Sequence, residues 1–285
     1  MVNVQKCPAC FSKDVKKVFT EFGLSVLGCD ACGHLFSLSP VDQDYDGYFG
    51  KEVGLDAVQT AAQAHDKLFD DFLSNVLPKK NTGKLLDVGC GYGFFVKTML
   101  EKTAWQVWGV ETSPVAVMIA EKELGLKTVV HGAVETAELP KPFDVVTMFD
   151  VLEHVPSPDR LLTAAGRLLE PGGLLFIHTP NAAVQLIKAR VKCLFHGGVK
   201  PGRHYLEAQD HVNVYSQKSI KKVLLRNGFD DIVFLHLRPL QIVSGSRAGY
   251  KLLLKNCWHY FSVACSALTS NRVNLDNLFV LAVKK

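Results

Sequence analysis

The chain contains no uninterrupted apolar run of the length that a membrane span needs, because Lys251, Lys255 and His259 interrupt its most apolar late stretch. It also contains no G-x-x-x-x-G-K-[ST] motif, which argues against a triphosphate cradle. The formal net charge is only +4, too small to indicate nucleic-acid binding by itself. With 285 residues, 48% of them hydrophobic, the chain is instead typical of one α/β core with a small appended module.

The N-terminal segment has four cysteines but no apolar core of the length that a secretory signal needs. We therefore expect a cytoplasmic protein whose thiols stay reduced. Two C-x-x-C pairs at this spacing predict one tetrahedral, structural zinc, since a segment of about 40 residues could hardly bury enough core without metal. Two disulfides, a redox-active pair and a rubredoxin-like iron site are the alternatives. The predicted metal ligands are Cys7, Cys10, Cys29 and Cys32.

A glycine-rich turn follows the apolar segment Lys84–Val88, with glycine at Gly89, Gly91 and Gly93. Glycine at this spacing lets the backbone turn sharply and approach a ligand that a side chain would exclude. Glu111 ends the next apolar segment, where an acid is placed to accept hydrogen bonds from a ribose diol. The pattern predicts a nucleoside-binding crevice.

The same turn resembles that of class I S-adenosylmethionine-dependent methyltransferases, because Asp87 lies inside the strand and the glycines are spaced G-x-G-x-G. Phe143–Val155 is similar to the fourth-strand motif of that family, and Pro171–Ile177 to its fifth. The resemblance covers the chain from Lys84 to Lys285. It implies S-adenosyl-L-methionine as cofactor and a Rossmann-like α/β fold with a doubly wound, mostly parallel, seven-stranded sheet.

The resemblance also implies a set of cofactor-binding residues. Two of them, Ala133 and Val134, lie where the family packs the adenine, although small apolar residues in such a loop are equally typical of a core. The full predicted set is Asp87, Gly89, Gly91, Gly93, Glu111, Ala133, Val134, Phe149 and Asp150.

Alternating patterns predict parallel strands and helices behind an entry helix at residues 61–77. The predicted strands are Lys84–Val88, Gln106–Val110, Thr128–His131, Phe143–Phe149 and Gly173–His178, and the predicted helices are Phe94–Lys102, Pro114–Leu124 and Pro158–Leu169. In the family, the last two strands, here Phe229–Leu237 and Leu278–Val283, form an antiparallel hairpin. The predicted domains are a zinc ribbon at 1–40, a linker at 41–60 and a methyltransferase domain at 61–285. The linker aromatics Tyr45, Tyr48 and Phe49 either dock on the catalytic domain, which is the favoured role, or close over the cofactor.

His154 and His211 are the candidate catalytic bases, because imidazole titrates near neutrality. Each has the alternative of orienting its own loop. Asp150, Glu153 and His154 form D-x-x-E-H, which on a helical turn is able to hold a divalent ion such as Mg²⁺. This region resembles some quinone-biosynthesis-type O-methyltransferases that depend on a metal, but metal-free relatives carry the motif too.

Two segments lack acids entirely, one between Glu170 and Glu207 and one between Asp231 and Asp276. The second predicts a basic amphipathic insert at about 239–274. Apolar residues recur there at helical spacing, at Tyr250, Leu254, Cys257, Trp258, Phe261, Cys265 and Leu268, with Lys251, Lys255, His259 and Ser262 largely on the other side. Such a helix either packs its apolar stripe on the domain, or contacts anionic lipid as a peripheral membrane element, or accepts an anionic acceptor.

The favoured function is methyl transfer to a small-molecule acceptor, a hydroxyl of a sugar-linked metabolite or amphipathic lipid. A ribosomal-RNA methyltransferase whose zinc module binds RNA is the first alternative. It is disfavoured because the fourth strand ends in Phe149-Asp150-Val151-Leu152, with neither the [ND]-P-P-[YF] motif of base-amino methylases nor a Pro-Cys nucleophile. A binding protein that keeps the fold without catalysis is the second alternative. The retained glycines, Asp87 and Glu111 argue against it.

Overall fold

The computed structural model describes residues 6–37, 55–78, 80–238, 248–270 and 273–285. The predicted docking aromatics of the linker and the first part of the insert, 239–247, lie outside these ranges. Within them, no helix has the length and apolarity needed to cross a membrane.

Seven strands form the main sheet, in the order β10-β11-β8-β7-β4-β5-β6. They are β4 (Lys84–Val88), β5 (Gln106–Glu111), β6 (Val129–His131), β7 (Phe143–Phe149), β8 (Leu169–Thr179), β10 (Phe229–Leu235) and β11 (Leu278–Lys284). β11 runs antiparallel to both of its neighbours, while the strands from β8 to β6 are parallel. The predicted Rossmann-like methyltransferase fold, including the antiparallel final hairpin, is confirmed.

Helices connect these strands and cover the sheet. The described helices are α1 (Leu55–Asn75), α2 (Phe94–Lys102), α3 (Pro114–Lys122), α4 (Pro158–Leu168), α5 (Ala182–His196), α6 (Gln217–Arg226) and α7 (Ala248–Leu268). Helix α1 begins at Leu55, so residues 55–60 of the predicted linker are helical. Helix α5 was not predicted. It begins at an N-cap in which Asn181 Oδ1 accepts from the backbone N–H of Ala183 (3.2 Å).

Aromatic packing joins α1 to the sheet beneath the carboxyl ends of its strands. The buried ring of Phe72 meets those of Phe95 and Phe176 edge to face, each with a centroid separation of 5.1 Å. The ring of Phe149, the last residue of β7, is tilted against those of Phe95 and Phe176, with centroid separations of 4.7 Å and 5.3 Å. Edge-to-face contacts of this kind stabilise beyond the area they bury, so this cluster gives the site a rigid floor.

A second sheet joins the N-terminal module to the main domain. β1 (Val15–Glu21), β2 (Leu24–Cys29) and β3 (Leu35–Ser37) are antiparallel, and β3 pairs in turn with β9 (Asn213–Val214). β9 lies some 176 positions after β3 in the chain. The backbone pairing therefore ties the cysteine module directly to the segment that carries His211.

Charged side chains reinforce this junction. The buried carboxylate of Glu21 accepts backbone N–H hydrogen bonds from Tyr205 (2.5 Å), Leu206 (2.9 Å) and Ala208 (3.2 Å). On the other side, the guanidinium of Arg226 donates to the backbone carbonyls of Pro8 and Ala9. Since hydrogen bonds to charged groups contribute about 1.5–3 kcal/mol each, these contacts hold the module firmly in place.

Candidate functional site

The glycine turn has the backbone geometry that only glycine adopts without strain. Gly89, Gly91 and Gly93 have φ values of 67°, 52° and 80°. A Cβ on Gly89 would lie 2.6 Å from a methyl of Val151, and one on Gly93 would lie 2.5 Å from a methyl of Leu126. Left-handed geometry and close packing together therefore require glycine at the first and third of these positions.

Glu111 binds the turn from the end of β5. Its Oε2 accepts the backbone N–H of Gly91 (2.9 Å), and its Oε1 accepts the backbone N–H of Ser113 (2.9 Å). β4 and β5 are paired in register at Val88 and Val110, so both the turn and the acid lie at the carboxyl edge of the sheet. Ligands of doubly wound sheets bind at this edge.

Asp87 lies directly beneath the turn and is almost completely buried. Burial raises the pKa of this carboxyl to about 7, and the charge of Glu111 adds to the effect. The Oγ1 of Thr147 donates a 2.6 Å hydrogen bond to Oδ1 of Asp87, which partly opposes the shift.

The two residues predicted beside the adenine occupy the loop after β6. Val134 is buried in the main core, while Ala133 is half-buried. The carbonyl of Ala133 accepts the backbone N–H groups of Thr136 (3.0 Å) and Ala137 (2.9 Å). Their role in cofactor binding remains a prediction.

Asp150 follows Phe149 in the left-handed conformation, with φ at 53°. Its Oδ1 lies 3.1 Å from Nδ1 of His178, whose Nε2 lies 3.0 Å from the amide nitrogen of Asn277. Burial disfavours the charged carboxylate of Asp150, but the interactions with His178 and His211 outweigh it and lower its pKa. Sequence reasoning missed His178, although its position near the end of the fifth strand was a usable signal.

The two candidate bases are neighbours, with a ring-centroid separation of 4.8 Å. Nδ1 of His154 donates to the backbone carbonyl of Asp210 (3.0 Å), which leaves Nε2 as the basic nitrogen of the neutral ring. Burial lowers the pKa of both His154 and His211, and the charge of His211 lowers that of His154 further. Nε2 of His211 lies 3.5 Å from a carboxylate oxygen of Glu207.

Glu153 lies against this pair and is fully buried. Its Oε2 accepts from the hydroxyl of Thr179 (2.9 Å), while its Oε1 has no hydrogen-bond partner among the described residues. Burial, with the charge of Asp150, raises the pKa of Glu153 well above its ordinary value.

Ligand atoms of Glu153, His154 and His211 lie within 4.8 Å of one another, a group able to hold a metal ion. The predicted ion site combined Asp150 with Glu153 and His154. Asp150 is paired with His178 instead, so the sequence-based grouping was wrong in that member. The tertiary structure replaces it with His211, which the D-x-x-E-H pattern could not include.

The four N-terminal cysteines converge as predicted. The Sγ atoms of Cys7 and Cys32 are 3.6 Å apart, as are those of Cys10 and Cys29, and all four lie within 4.8 Å of one another. Disulfide sulfurs would be about 2.05 Å apart. Zinc–sulfur bonds of about 2.3 Å place tetrahedral sulfurs about 3.8 Å apart. The geometry fits a tetrahedral metal, and the four cysteines are free in this structure.

The two acid-free segments meet at the carboxyl edge of the sheet. The side-chain amide of Asn181, at the start of α5, donates to the backbone carbonyls of Asn274 (2.9 Å) and Asp276 (3.1 Å). β8 ends and β11 begins at the same place, since Thr179 pairs with Leu278. Both segments therefore flank the edge that carries the glycine turn.

Helix α7 does not pack its apolar stripe on the domain, which was the first of the three alternatives for this helix. His259, Ser262 and Ser266 are buried, whereas the apolar stripe is largely exposed, with Phe261 54% and Leu268 87% accessible. That alternative is wrong because polar partners hold the other face against the domain. His259 Nδ1 lies 2.9 Å from Asp276 Oδ2, and Ser262 Oγ accepts the backbone N–H of Leu275 (3.1 Å).

Comparison with known proteins identifies the family of the chain. A family model described as a methyltransferase domain matches residues 60–233, more than half of the chain. The ubiquinone biosynthesis O-methyltransferase of Schizosaccharomyces pombe mitochondria is 37% identical over 119 residues, 38% of this chain and 43% of the relative. That of Idiomarina loihiensis is 34% identical over 132 residues, 42% of this chain and 53% of the relative. The matched region thus spans about half the length of these curated relatives.

Solved structures of low identity share the fold. Haemonchus contortus phosphoethanolamine N-methyltransferase 2, bound to phosphomonomethylethanolamine and S-adenosylhomocysteine, superimposes with a TM-score of 0.57 at 17% identity, covering 88% of this chain and 62% of that one. The plantazolicin methyltransferase BamL gives 0.53 at 14% identity, covering 85% and 91%. The crevice and fold define the S-adenosylmethionine-dependent methyltransferase class. By its family match, the chain belongs to the methyltransferase family.

Proposed function

We propose that the protein transfers a methyl group from S-adenosylmethionine to a hydroxyl of a small-molecule acceptor. The cofactor, when bound, supplies an activated methyl on a positively charged sulfur. One observation supports this proposal above the others. The glycine turn bound by Glu111 follows β4, the loop with the basic Nε2 of His154 follows β7, and both strands end at the same edge of the sheet. A nucleotide-binding module alone would have no need of the second feature.

A hydroxyl must lose its proton as it attacks the methyl carbon, and His154 is suited to take it. The bond from Nδ1 to the Asp210 carbonyl keeps the ring in one tautomer, so that Nε2 accepts the proton. A lowered pKa keeps this nitrogen unprotonated at neutral pH. His211 packs edge-on against His154 and orients its ring, and a carboxylate oxygen of Glu207 lies 3.5 Å from Nε2 of His211.

A divalent ion such as Mg²⁺ held by Glu153, His154 and His211 is the second way to activate the oxygen. The orphaned Oε1 of Glu153 favours this alternative, because a bound cation would satisfy it. Since the pKa of Glu153 is raised, the ion would have to displace a proton from this carboxyl. Chelation with and without added magnesium distinguishes the two.

An anionic or lipid-linked acceptor is supported by the surroundings of the sheet edge. Burial lowers the pKa of Lys255, and the charge of Lys188, from the other acid-free segment, lowers it further, with the carboxylate of Asp276 opposing. Relatives named as O-methyltransferases of ubiquinone biosynthesis support an oxygen acceptor. A sugar-linked phosphate ester would also supply a negative charge, so lipid-linked and sugar-linked acceptors are both included in the test.

The four cysteines are proposed to hold a structural zinc, for which their number and spacing are suited. The experiment that tests the proposed function has two stages. Titration calorimetry measures S-adenosylmethionine binding, and labelled cofactor is then offered with polyprenylated dihydroxybenzoates and with lipid-linked or nucleotide-linked sugars. Cofactor binding followed by transfer to an oxygen is the expected result. Cofactor binding with transfer only to nitrogen or carbon would contradict the hydroxyl acceptor, and absent binding would contradict the whole proposal.

A further inference from the structure

Helix α7 presents an apolar surface to solvent. We name as the α7 face the residues that recur at helical spacing on this side and are each 45% or more exposed: Tyr250, Leu253, Leu254, Trp258, Phe261 and Leu268. Monomeric soluble proteins seldom expose a contiguous apolar surface of this kind unless it binds something.

The orientation of α7 is held by specific contacts. The opposite, polar face is buried through His259 and Ser262, and the indole N–H of Trp258 donates to the backbone carbonyl of Leu275 (2.8 Å). Rotating the helix to bury the α7 face would break these bonds and remove His259 as a partner of the Asp276 carboxylate. The exposed apolar face is therefore part of the folded state.

Helix α5 provides a second exposed apolar face, at the same edge of the sheet. Ile187, Val191, Leu194 and Phe195 follow helical spacing, and the last two are 81% and 83% accessible. Its N-terminus is bonded through Asn181 to the segment between α7 and β11. Two neighbouring helices thus expose large apolar side chains, where amphipathic helices of a globular domain ordinarily expose charges.

The charge of these segments selects among partners. Neither contains an acid, while Arg190 and Lys192 are exposed on α5, and Lys200 and Arg203 are exposed shortly after it. A symmetric dimer would bring identical patches together and place these cations opposite one another without a single carboxylate from either segment. An anionic lipid surface offers apolar depth and negative headgroups together.

We propose that the α7 face and the exposed face of α5 form a peripheral contact surface for anionic phospholipid bilayers. Exposed Tyr250 and Trp258 suit the headgroup boundary, where amphipathic rings are enriched, and the aliphatic members suit the acyl region below it. The proposal concerns a surface distinct from the glycine turn and does not depend on methyl transfer. It places the carboxyl edge of the sheet next to the bilayer.

The test is flotation of the purified full chain with vesicles of phosphatidylcholine alone or mixed with phosphatidylglycerol. We expect the protein to float with the mixed vesicles and to be released by salt in part. The triple variant Leu253→Gln, Leu254→Gln, Phe261→Gln should bind at least roughly tenfold more weakly, because each exposed side chain loses its burial in the bilayer. The double variant Arg190→Glu, Lys192→Glu should lose the preference for anionic vesicles.

Matched controls come from other faces of the molecule. Leu100→Gln, Met118→Gln, Leu225→Gln removes three apolar side chains, 40–45% exposed, from α2, α3 and α6. Lys221→Glu, Lys222→Glu reverses two exposed cations of α6. Both should bind vesicles like the wild type, and cofactor titration should show every variant folded. The proposal would be overturned if the wild-type protein bound neither type of vesicle, or if the triple variant bound the mixed vesicles as tightly as the wild type. So would a wild-type dimer by light scattering that the triple variant turns into a monomer, since the surface would then serve self-association.

Discussion

His34 and Asn213 are joined by a buried hydrogen bond across 179 positions of sequence, with Nε2 of His34 donating to Oδ1 of Asn213 (3.0 Å). His34 lies two residues after Cys32. Asn213 donates its amide to the carbonyl of Val155 (2.8 Å) and its backbone N–H to the carbonyl of Glu153 (2.9 Å). The cysteine module therefore contacts the turn that carries His154 through one intermediate side chain.

Replacing Asn213 with alanine should lower stability and turnover together. The change leaves Nε2 of His34 and the Val155 carbonyl without a partner, at a cost of about 1–3 kcal/mol each. We expect kcat to fall while the affinity for S-adenosylmethionine stays near the wild-type value, because the glycine turn is not involved. Denaturant unfolding and calorimetry measure the two effects. Asn227→Ala, which removes contacts of α6 to Asp159, is the control and should spare kcat. Equal loss of kcat in both variants would count against a positioning role for Asn213.

Zinc removal should loosen the same junction. The purified protein should contain one zinc per chain, and Cys10→Ser should lower that content, whereas Cys193→Ser, outside the cluster, should not. Because Val214 of β9 pairs with Leu35 of β3, hydrogen exchange at Val214 should quicken when the metal is lost. Metal analysis and exchange mass spectrometry provide the measurements. A metal-free protein with wild-type protection in both strands would refute this coupling.

The cofactor crevice is tested at the turn itself. Glu111→Ala removes the acceptor for the backbone N–H of Gly91 and the predicted acceptor for the ribose, so binding of S-adenosylmethionine should weaken by about 1.5–3 kcal/mol. Gly91→Val should weaken it further, since a β-branched residue is strained at a φ of 52°. Glu111→Gln keeps one acceptor oxygen and should fall between the wild type and the alanine variant. Unchanged affinity in both Glu111→Ala and Gly91→Val, with the fold intact, would disprove the assignment.

The proposed base is tested by kinetics. His154→Ala should lower kcat by about two to four orders of magnitude with cofactor affinity unchanged. Since the pKa of His154 is lowered, its neutral, basic ring persists to lower pH. The midpoint of the acidic limb in the pH profile of kcat should therefore lie below the ordinary imidazole pKa of about 6.5. His204→Ala, an exposed histidine in another loop, is the control. A chelator that abolishes activity, with recovery on adding magnesium, would favour the ion of Glu153, His154 and His211 instead.

The carboxyl of Asp87 should make stability depend on pH. Its pKa is about 7 in the folded chain and about 4 when unfolded, so between these values the folded state binds more protons. The free energy of unfolding of the cofactor-free protein should therefore fall as pH rises through this window, by an amount on the order of a few kcal/mol. Asp87→Asn should flatten the dependence, and the exposed Asp14→Asn should leave it in place. Parallel curves for Asp87→Asn and wild type would contradict the raised pKa.

Local sequence patterns predicted most of the strands and helices. β4, β7 and α2 have the bounds that periodicity predicted. A buried strand and a glycine turn can each be recognised from the residue types of a short segment alone. The cysteine spacing likewise predicted which four thiols converge. Helix α5 was missed although its N-cap residue stands in the sequence, since nothing local distinguished it from the basic segment around it.

Only the tertiary structure decided which groups meet across the chain. The pairing of β3 with β9, the His34–Asn213 bond and the replacement of Asp150 by His211 beside Glu153 depend on contacts between distant segments, which no local spacing records. In α7 the sequence determined that two faces exist, one apolar and one polar. Which face is buried depended on Asp276 and the Leu275 backbone, because their hydrogen-bonding groups hold the polar side against the domain and leave the apolar side in solvent.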